Sequence, residues 1–142
     1  MASNKIILRG AEYGGRQDEF RADAALKPGH FLTKNSDNEV LKQATAGADG
    51  PLLIAIEDRL KGGVITDAYA AGDLVTCWWL VSGMRVQARI ADGVGPTAIG
   101  TAIKFANDGT VVAQGGTGTI KGWYDEVVTA SGAEAFVAII IK

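Results

Sequence analysis

The side chains that could carry chemistry in this chain are few and stand far apart. His30 is the only histidine and Cys77 the only cysteine among 142 residues. A Ser-His-Asp arrangement would therefore rest on one imidazole, and the usual zinc ligand sets are excluded. His30 follows Pro28 and Gly29, where we expect a structural or an exposed histidine. Cys77 lies in the most apolar run, where we expect a buried and unreactive thiol, because reactive cysteines need electropositive, partly exposed surroundings.

Two pairs of neighbouring carboxylates are the other candidates for catalytic groups. They are Glu57-Asp58 and Asp125-Glu126. Adjacent residues on a strand point to opposite faces, so neither pair supplies two convergent carboxylates for general acid–base catalysis. We expect solvated charges at sheet edges, which discourage edge-to-edge aggregation. The sequence therefore predicts no catalytic residue, no metal ligand and no cofactor site, and we expect that the protein is not an enzyme.

Two glycine clusters resemble phosphate-binding motifs only superficially. Residues 93–98, GVGPTA, fit a loosened dinucleotide pattern, but they are followed by the strand-like AIGTAIKF and not by a helix whose N-terminus could receive a pyrophosphate. Residues 115–122, GGTGTIKG, lack the phosphate-loop spacing. We interpret both clusters as turns.

Composition and charge exclude several classes of partner. Fourteen Lys and Arg against sixteen Asp and Glu give a net charge of −2, with the signs mixed along the chain. Nucleic acid is therefore not an expected partner, because it requires a clustered positive face. The longest apolar run, residues 135–141, is far below the roughly 20 residues that span a bilayer, and the run at 6–8 is too short for a signal peptide. We expect a soluble protein with no membrane contact, made in a reducing cytoplasm, since one cysteine allows no internal disulfide.

The elements that must position these residues are short strands. Residues 84–91 place Met84, Val86, Ala88 and Ile90 on one face and polar side chains on the other, which is the period-2 pattern of a half-buried strand. Similar short runs recur at roughly 10-residue spacing from residue 28 onward, separated by turn formers such as NSDN at 35–38 and NDG at 107–109. The sequence predicts an all-β domain over residues 27–142, a compact antiparallel barrel or sandwich of about nine short strands.

Two of the predicted strands are apolar on both faces. Residues 73–81 put Trp78 and Trp79 on opposite sides of the sheet, and residues 135–141 are apolar throughout. Burying a large apolar side chain contributes roughly 1.5–3 kcal/mol, so the outer faces need a cover. Either N-terminal residues cover them within the chain, or they form a homo-oligomer or docking surface, for which Trp78, Trp79 and Trp123 are the candidates.

The N-terminal segment, residues 1–26, mixes charges of both signs with isolated apolar residues. A short helix could form over residues 17–26, but isolated helices of that length are marginal. One interpretation is an extended or weakly ordered arm that becomes ordered when a partner holds it. The other is an ordinary first strand with a connecting loop.

Several segments together resemble the small capsid decoration, or cement, proteins of tailed bacteriophages. The segments are ALKPGHFL (25–32), PLLIAIED (51–58), DAYAAGDLV (67–75), SGMRVQARIADG (82–93) and NDGTVV (107–112). A Tyr-Ala-x-Gly-Asp-x-Val element, then a strand, a turn and an Arg-bearing strand, is the recurring layout of that family. The resemblance covers about residues 25–142, and the chain is longer and poorer in proline than the lambdoid type.

The resemblance implies a structural role without catalysis. Such proteins bind the outer surface of an expanded capsid, often as homotrimers and sometimes as dimers, and hold neighbouring major-capsid subunits together against internal DNA pressure. The implied partners are the major capsid protein and further copies of the chain, and the implied location is the virion. On this view the arm contacts the capsid through apolar and arginine side chains: Ile6, Ile7, Leu8, Arg9, Tyr13, Arg16, Phe20 and Arg21.

A different kind of binding module remains as an alternative. Trp79, or Trp123 beside Asp125, could form a platform for host carbohydrate on a virion surface or a fibre-associated domain. Glycan binding that is lost on Trp→Ala substitution would favour this alternative.

Overall fold

The computed structural model describes residues 3–142, which form eleven strands and two short 3-10 helices. The strands are β1 Ile7–Arg9, β2 Arg16–Arg21, β3 Phe31–Lys34, β4 Val40–Lys42, β5 Leu53–Ala55, β6 Leu74–Trp79, β7 Arg85–Ile90, β8 Ala102–Phe105, β9 Val111–Ala113, β10 Gly122–Tyr124 and β11 Ala135–Ile141. The 3-10 helices are Ala11–Tyr13 and Arg59–Lys61. Within residues 3–142, neither helix has the length and apolar character needed to cross a membrane.

The strands form two antiparallel sheets that pack as a sandwich. The six-stranded sheet has the order β1-β7-β11-β10-β8-β9, and the five-stranded sheet has the order β2-β6-β5-β3-β4. The predicted all-β class is confirmed, and the sandwich is the correct one of the two predicted architectures. Nine of the strands lie in the body of the chain, as expected, and the other two lie in the N-terminal segment.

The main core lies between the two sheets. Along β7, Val86, Ala88 and Ile90 are fully buried in it, so the predicted apolar face is present. Gln87 and Arg89 on the opposite face are also buried, so the strand is not half-buried as predicted. The facing sheet contributes Phe31 and Ile54, and the rings of Phe31 and Phe105 pack with centroids 5.0 Å apart. Each fully buried side chain of this size stabilises the fold by about 1.5–3 kcal/mol relative to exposure.

A second core explains the strand that is apolar on both faces. Trp78 packs against the main core, whereas Trp79 packs on the opposite face of the five-stranded sheet with Val75 and Cys77. That opposite face is covered by the chain itself. The connection from β2 to β3 and the loop before β6 cross it and contribute Ala22, Leu26 and Tyr69. Intramolecular cover was one of the two predicted solutions, and it applies to this sheet.

The N-terminal segment differs from the expected arm. β1 pairs with β7 at the edge of the six-stranded sheet, and β2 pairs over six residues with β6 at the edge of the five-stranded sheet. The helix considered for residues 17–26 is wrong, because residues 16–21 form β2. Gly10 and Gly14, with φ of 94° and 104°, flank the 3-10 helix that carries the chain from one sheet to the other. Glycine adopts this left-handed backbone without the steric penalty of a Cβ atom. The interpretation as a first strand with a connecting loop therefore describes this segment better.

Candidate functional site

The sole histidine belongs to a buried ionic cluster. His30 is 2% exposed, and its Nδ1 accepts a hydrogen bond from the Lys27 backbone N–H at 3.0 Å. Its Nε2 lies 3.0 Å from Glu134, and the Arg89 guanidinium lies 3.5 Å from the same carboxylate. Of the two expected situations, exposed or buried with its polar atoms hydrogen-bonded, His30 is in the second. Burial lowers the pKa of His30, against the opposing effect of Glu134.

Arg89 completes this cluster by bonding to two loops. Its Nε donates to the Pro28 carbonyl at 2.6 Å, and its Nη2 donates to the Ile65 carbonyl at 3.2 Å. Its guanidinium also lies over the Phe136 ring, 4.3 Å from the centroid. Burial lowers the pKa of Arg89, although its ordinary value is high enough to keep the side chain charged at neutral pH. The cluster joins strands and loops. The polar atoms of its side chains bond to one another and to backbone groups of the loops.

The first carboxylate pair is only partly at the surface, which corrects the expectation of solvated charges. Glu57 is 3% exposed; it accepts a hydrogen bond from the Ile6 backbone N–H at 3.1 Å and pairs with Arg59 at 2.8 Å. Asp58 caps the 3-10 helix by accepting from the Lys61 N–H. A buried charge must be paired, and Glu57 meets that requirement while holding the N-terminal segment in place.

The second carboxylate pair binds strands of the six-stranded sheet. Asp125 accepts from Arg85 Nε at 2.7 Å, and Glu126 Oε2 accepts from the Ala138 backbone N–H at 2.9 Å. The two residues follow β10 and are not part of a strand, and their carboxylates have different partners and do not converge. Within residues 3–142, no group of three or more His, Cys, Asp or Glu side chains is arranged to hold a metal ion.

Cys77 and the glycine clusters lie where they were expected. Cys77 is fully buried in the second core, and burial raises the pKa of its thiol to about 12. Residues 93–98 and 115–121 form loops between strands, and no helix follows the first of them. Neither loop has the structure of a phosphate-binding motif.

The predicted capsid-contact residues fall into three groups by exposure. Ile6 and Ile7 are 0% and 8% exposed in the main core, so they anchor the segment to its own protein and are not available at the surface. Leu8 and Phe20 are half-buried. The remaining predicted residues are exposed at the end of β1, on the connection between the sheets and on the free edge strand β2: Arg9, Tyr13, Arg16 and Arg21.

The three candidate interface tryptophans also differ in their exposure. Trp78 and Trp79 are half-buried within the two cores, and the Trp79 indole N–H donates to Asp18 at 3.3 Å. Trp123 is 36% exposed on the outer face of the six-stranded sheet. In register it is flanked by Ile140 of β11 and Ala102 of β8, and Ile140 is flanked in turn by Arg85 of β7. Directly opposed residues of antiparallel strands share a face, so these four side chains form one row.

A groove lies beside this row on the same outer face. It has a volume of about 380 Å³. Its lining residues come from the segment before β1, from β1, β7 and β11, and from the turn after β10: Ser3, Leu8, Arg85, Gln87, Glu126, Phe136 and Ala138. Gln87 is 6% exposed, and its Nε2 donates to the carbonyls of Ser3 at 2.9 Å and Lys5 at 2.7 Å. Reasoning from sequence assigned Gln87 and Arg89 to a solvated face and gave Glu134 no role, because their partners lie 24 to 104 positions away in the chain.

Comparison with known proteins shows that the fold is shared with a solved structure, but it shows no family relationship. No family model and no curated protein matches the chain. The solved structures that resemble it include the head fiber gp8.5 N base of bacteriophage phi29. The TM-score is 0.60 at 16% sequence identity, and the match covers 90% of this chain and 94% of that chain. The whole sandwich, and not one sheet alone, is therefore shared with a known structure.

Proposed function

We propose that the protein is a non-enzymatic structural virion protein of a tailed phage, which binds the outer surface of the expanded capsid and cements neighbouring major-capsid subunits. The observation that carries the proposal is the fold shared, over nearly the full length of both chains, with the base of a phage head fiber. The sequence resemblance to capsid decoration proteins supports the same location. The head-associated role rests on both, and the cementing role rests on the resemblance.

The surface that we assign to the capsid is the exposed part of the N-terminal segment. Tyr13, at the end of the first 3-10 helix, is 50% exposed, and the side chain of Arg16, at the start of the edge strand β2, is 74% exposed. Tyrosine and arginine are enriched among the side chains that dominate protein–protein binding energy. Arg16 is only loosely paired with Asp18, at 3.7 Å, so a partner can engage its guanidinium.

Cementing follows from mass action. A protein that binds only the assembled, expanded shell stabilises that shell in proportion to the logarithm of its concentration over its dissociation constant. Many copies acting together resist internal pressure even where each contact is modest. We propose that the protein acts as a homotrimer, with a dimer as the alternative, and that the exposed Trp123 lies at the contact between copies.

The decisive experiment is co-sedimentation with empty shells built from the major capsid protein of the same genome, in unexpanded and expanded forms. We expect binding to expanded shells and a higher melting temperature of those shells. Deleting residues 1–24 is not a clean test, because it removes two strands and the core residues Ile6 and Ile7. Tyr13→Ala combined with Arg16→Ala removes only exposed groups, and we expect it to weaken binding at least about tenfold.

A matched control removes an apolar and a cationic side chain elsewhere. Leu60 is 81% exposed, and the Lys104 ammonium donates to the exposed Thr117 hydroxyl, its one hydrogen bond within residues 3–142. Leu60→Ala with Lys104→Ala should leave binding unchanged. Equal affinity for both shell forms, or none for either, would contradict the proposal. Light scattering should give three times 14.8 kDa for the wild type and a smaller mass for Trp123→Ala.

A further inference from the structure

The groove on the outer face of the six-stranded sheet has hydrogen-bonding groups that the protein leaves unused. Gln87 is fixed through its Nε2 alone, and Arg85 is paired through its Nε alone. Glu126 accepts a backbone N–H with one carboxylate oxygen. Among residues 3–142, no hydrogen bond uses Gln87 Oε1, the two terminal nitrogens of Arg85 or Glu126 Oε1.

These groups are held in place before any ligand arrives. Gln87 is clamped by two carbonyls of the N-terminal segment, and Arg85 is held by its 2.7 Å bond to Asp125. Ala138 lies directly opposite Gln87 in the register of β7 and β11, so the floor of the groove is sheet. A fixed arrangement lowers the entropy that binding would otherwise cost.

The groove offers a ligand two acceptors, one set of donors and apolar walls. Leu8, Phe136 and Ala138 supply the apolar surface. One cationic and one anionic side chain line it, so it favours a neutral ligand. Its volume of about 380 Å³ lies at the lower end of the range for small-molecule sites.

We infer that this groove binds a neutral saccharide bearing an N-acetyl group. The N-acetyl N–H and the ring hydroxyls donate to Gln87 Oε1 and Glu126 Oε1, the acetyl carbonyl accepts from Arg85, and the acetyl methyl packs on the apolar wall. Hydroxyl groups both donate and accept, so they match a mixed set of side-chain partners. A peptide fits the groove less well. The strands in the floor of the groove, β7 and β11, are paired on both sides, so an added strand could pair only with the outer edge of β1, outside that floor. The groove lies on the six-stranded sheet, whereas the capsid contact is assigned to Tyr13 and Arg16, on the connection between the sheets and on β2. The proposed contact between copies at Trp123 lies beside the groove on the same outer face.

The test is a titration of the full chain with tri-N-acetylchitotriose, followed residue by residue through amide chemical shifts. We expect saturable shifts at Leu8, Arg85, Gln87, Glu126 and Phe136 by about 10 mM ligand, which is ten times a millimolar Kd. The peptide acetyl-Ala-Ala-Ala-amide, which also carries N–H, carbonyl and methyl groups, serves as the competing ligand. An absence of shifts, shifts confined to another surface, or equal binding of the peptide would overturn the inference.

Two substitutions test whether the saccharide binds in this groove and not elsewhere on the protein. Glu126→Gln keeps an oxygen for the Ala138 N–H but removes the charge, and we expect the saccharide to bind at least about tenfold more weakly. Arg85→Gln, which removes the free guanidinium donors, should have a similar effect. Glu19→Gln, an exposed carboxylate on β2 of the other sheet, is the matched control and should bind as the wild type does. Equal weakening by Glu126→Gln and Glu19→Gln would overturn the site even if the sugar binds. Capsid co-sedimentation is a separate measurement, so failure of either proposal is recognised independently.

Discussion

The imidazole Nε2 of His30 lies 3.0 Å from a carboxylate oxygen of Glu134, although 104 positions separate the two residues in the chain. The contact joins the turn that precedes β3 to the residue that precedes β11, and thus ties the two sheets together at one end of the sandwich. Arg89 lies against the same carboxylate and bonds to the loop carbonyls of Pro28 and Ile65. Four separate segments are therefore connected through one buried ionic cluster.

The first prediction concerns the pH dependence of stability. Burial lowers the pKa of His30 in the folded protein, with the positive charges of Arg89 and Lys42 acting in the same direction and Glu134 opposing them. The unfolded chain, with an ordinary pKa near 6.5, therefore binds the proton more readily. The contribution of His30 is complete above about pH 6.5 and is lost as the pH falls through the lowered folded value, with a slope of at most about 1.4 kcal/mol per pH unit.

Protonation is costly here for a geometric reason. Nδ1 accepts from the Lys27 N–H, and a proton on Nδ1 would set two donors against each other. Urea unfolding of the wild type and of His30→Gln, measured from pH 7.5 to 5, checks the prediction. The variant should be less stable at neutral pH, and the difference between the two proteins should shrink on acidification. A difference that stays constant or grows would show that His30 takes up its proton as readily in the folded state.

The second prediction concerns the second core. Leu26 is 2% exposed and packs on the outer face of the five-stranded sheet, whereas Leu60 is 81% exposed on a 3-10 helix. Leu26→Ala should cost about 2–5 kcal/mol of unfolding free energy, because it removes buried methyl groups and leaves a cavity. Leu60→Ala makes the same chemical change at the surface and should stay within about 0.5 kcal/mol of the wild type. Similar effects of the two substitutions in chemical unfolding would mean that the segment over this sheet is not packed as described.

The third prediction uses the reactivity of Cys77 to measure how often the folded protein opens around the second core. Its side chain is fully buried and its pKa is raised to about 12, so the reactive thiolate is scarce in the folded protein. We expect an aromatic disulfide reagent at pH 8 to label Cys77 only as fast as the protein opens, and rapidly in denaturant. Leu26→Ala should speed labelling, whereas Leu60→Ala should not. Fast stoichiometric labelling of the native wild type would contradict the buried position.

The sequence was sufficient where local patterns decide the structure. The alternation at Met84–Ile90 and the Asp108-Gly109 step each depend on neighbouring residues, and the structure has the expected strand and hairpin there. Gly109 has φ of +81°, as its turn requires. The two-faced strand at β6 likewise predicted two apolar layers.

The sequence was insufficient where distant segments decide the structure. One interpretation of the charged residues 16–21 was an extended arm. In the structure they form the edge strand β2, which is held by backbone hydrogen bonds to β6 and not by a pattern of side chains. Edge strands often carry such charges, which prevent further pairing. Glu57 was placed in solvent for a related reason. Its burial depends on Ile6, which is 51 positions earlier, and no local pattern reports that contact.

The last prediction concerns how Glu57 holds the first strand. Its Oε2 accepts the Ile6 N–H at 3.1 Å, and its Oε1 pairs with Arg59 at 2.8 Å. Glu57→Ala leaves a buried backbone donor without its acceptor, which costs about 1–3 kcal/mol. β1 is short and lies at a sheet edge, so we expect the loss to appear as local opening of residues 6–9 before global unfolding. Hydrogen exchange followed by NMR should show faster exchange at Gln87, whose N–H bonds to the Ile6 carbonyl, while Ile139 keeps its protection. Glu12→Ala, an exposed carboxylate close in sequence, is the matched control and should exchange as the wild type does. Unchanged exchange in Glu57→Ala would show that the apolar burial of Ile6 and Ile7 holds this strand by itself.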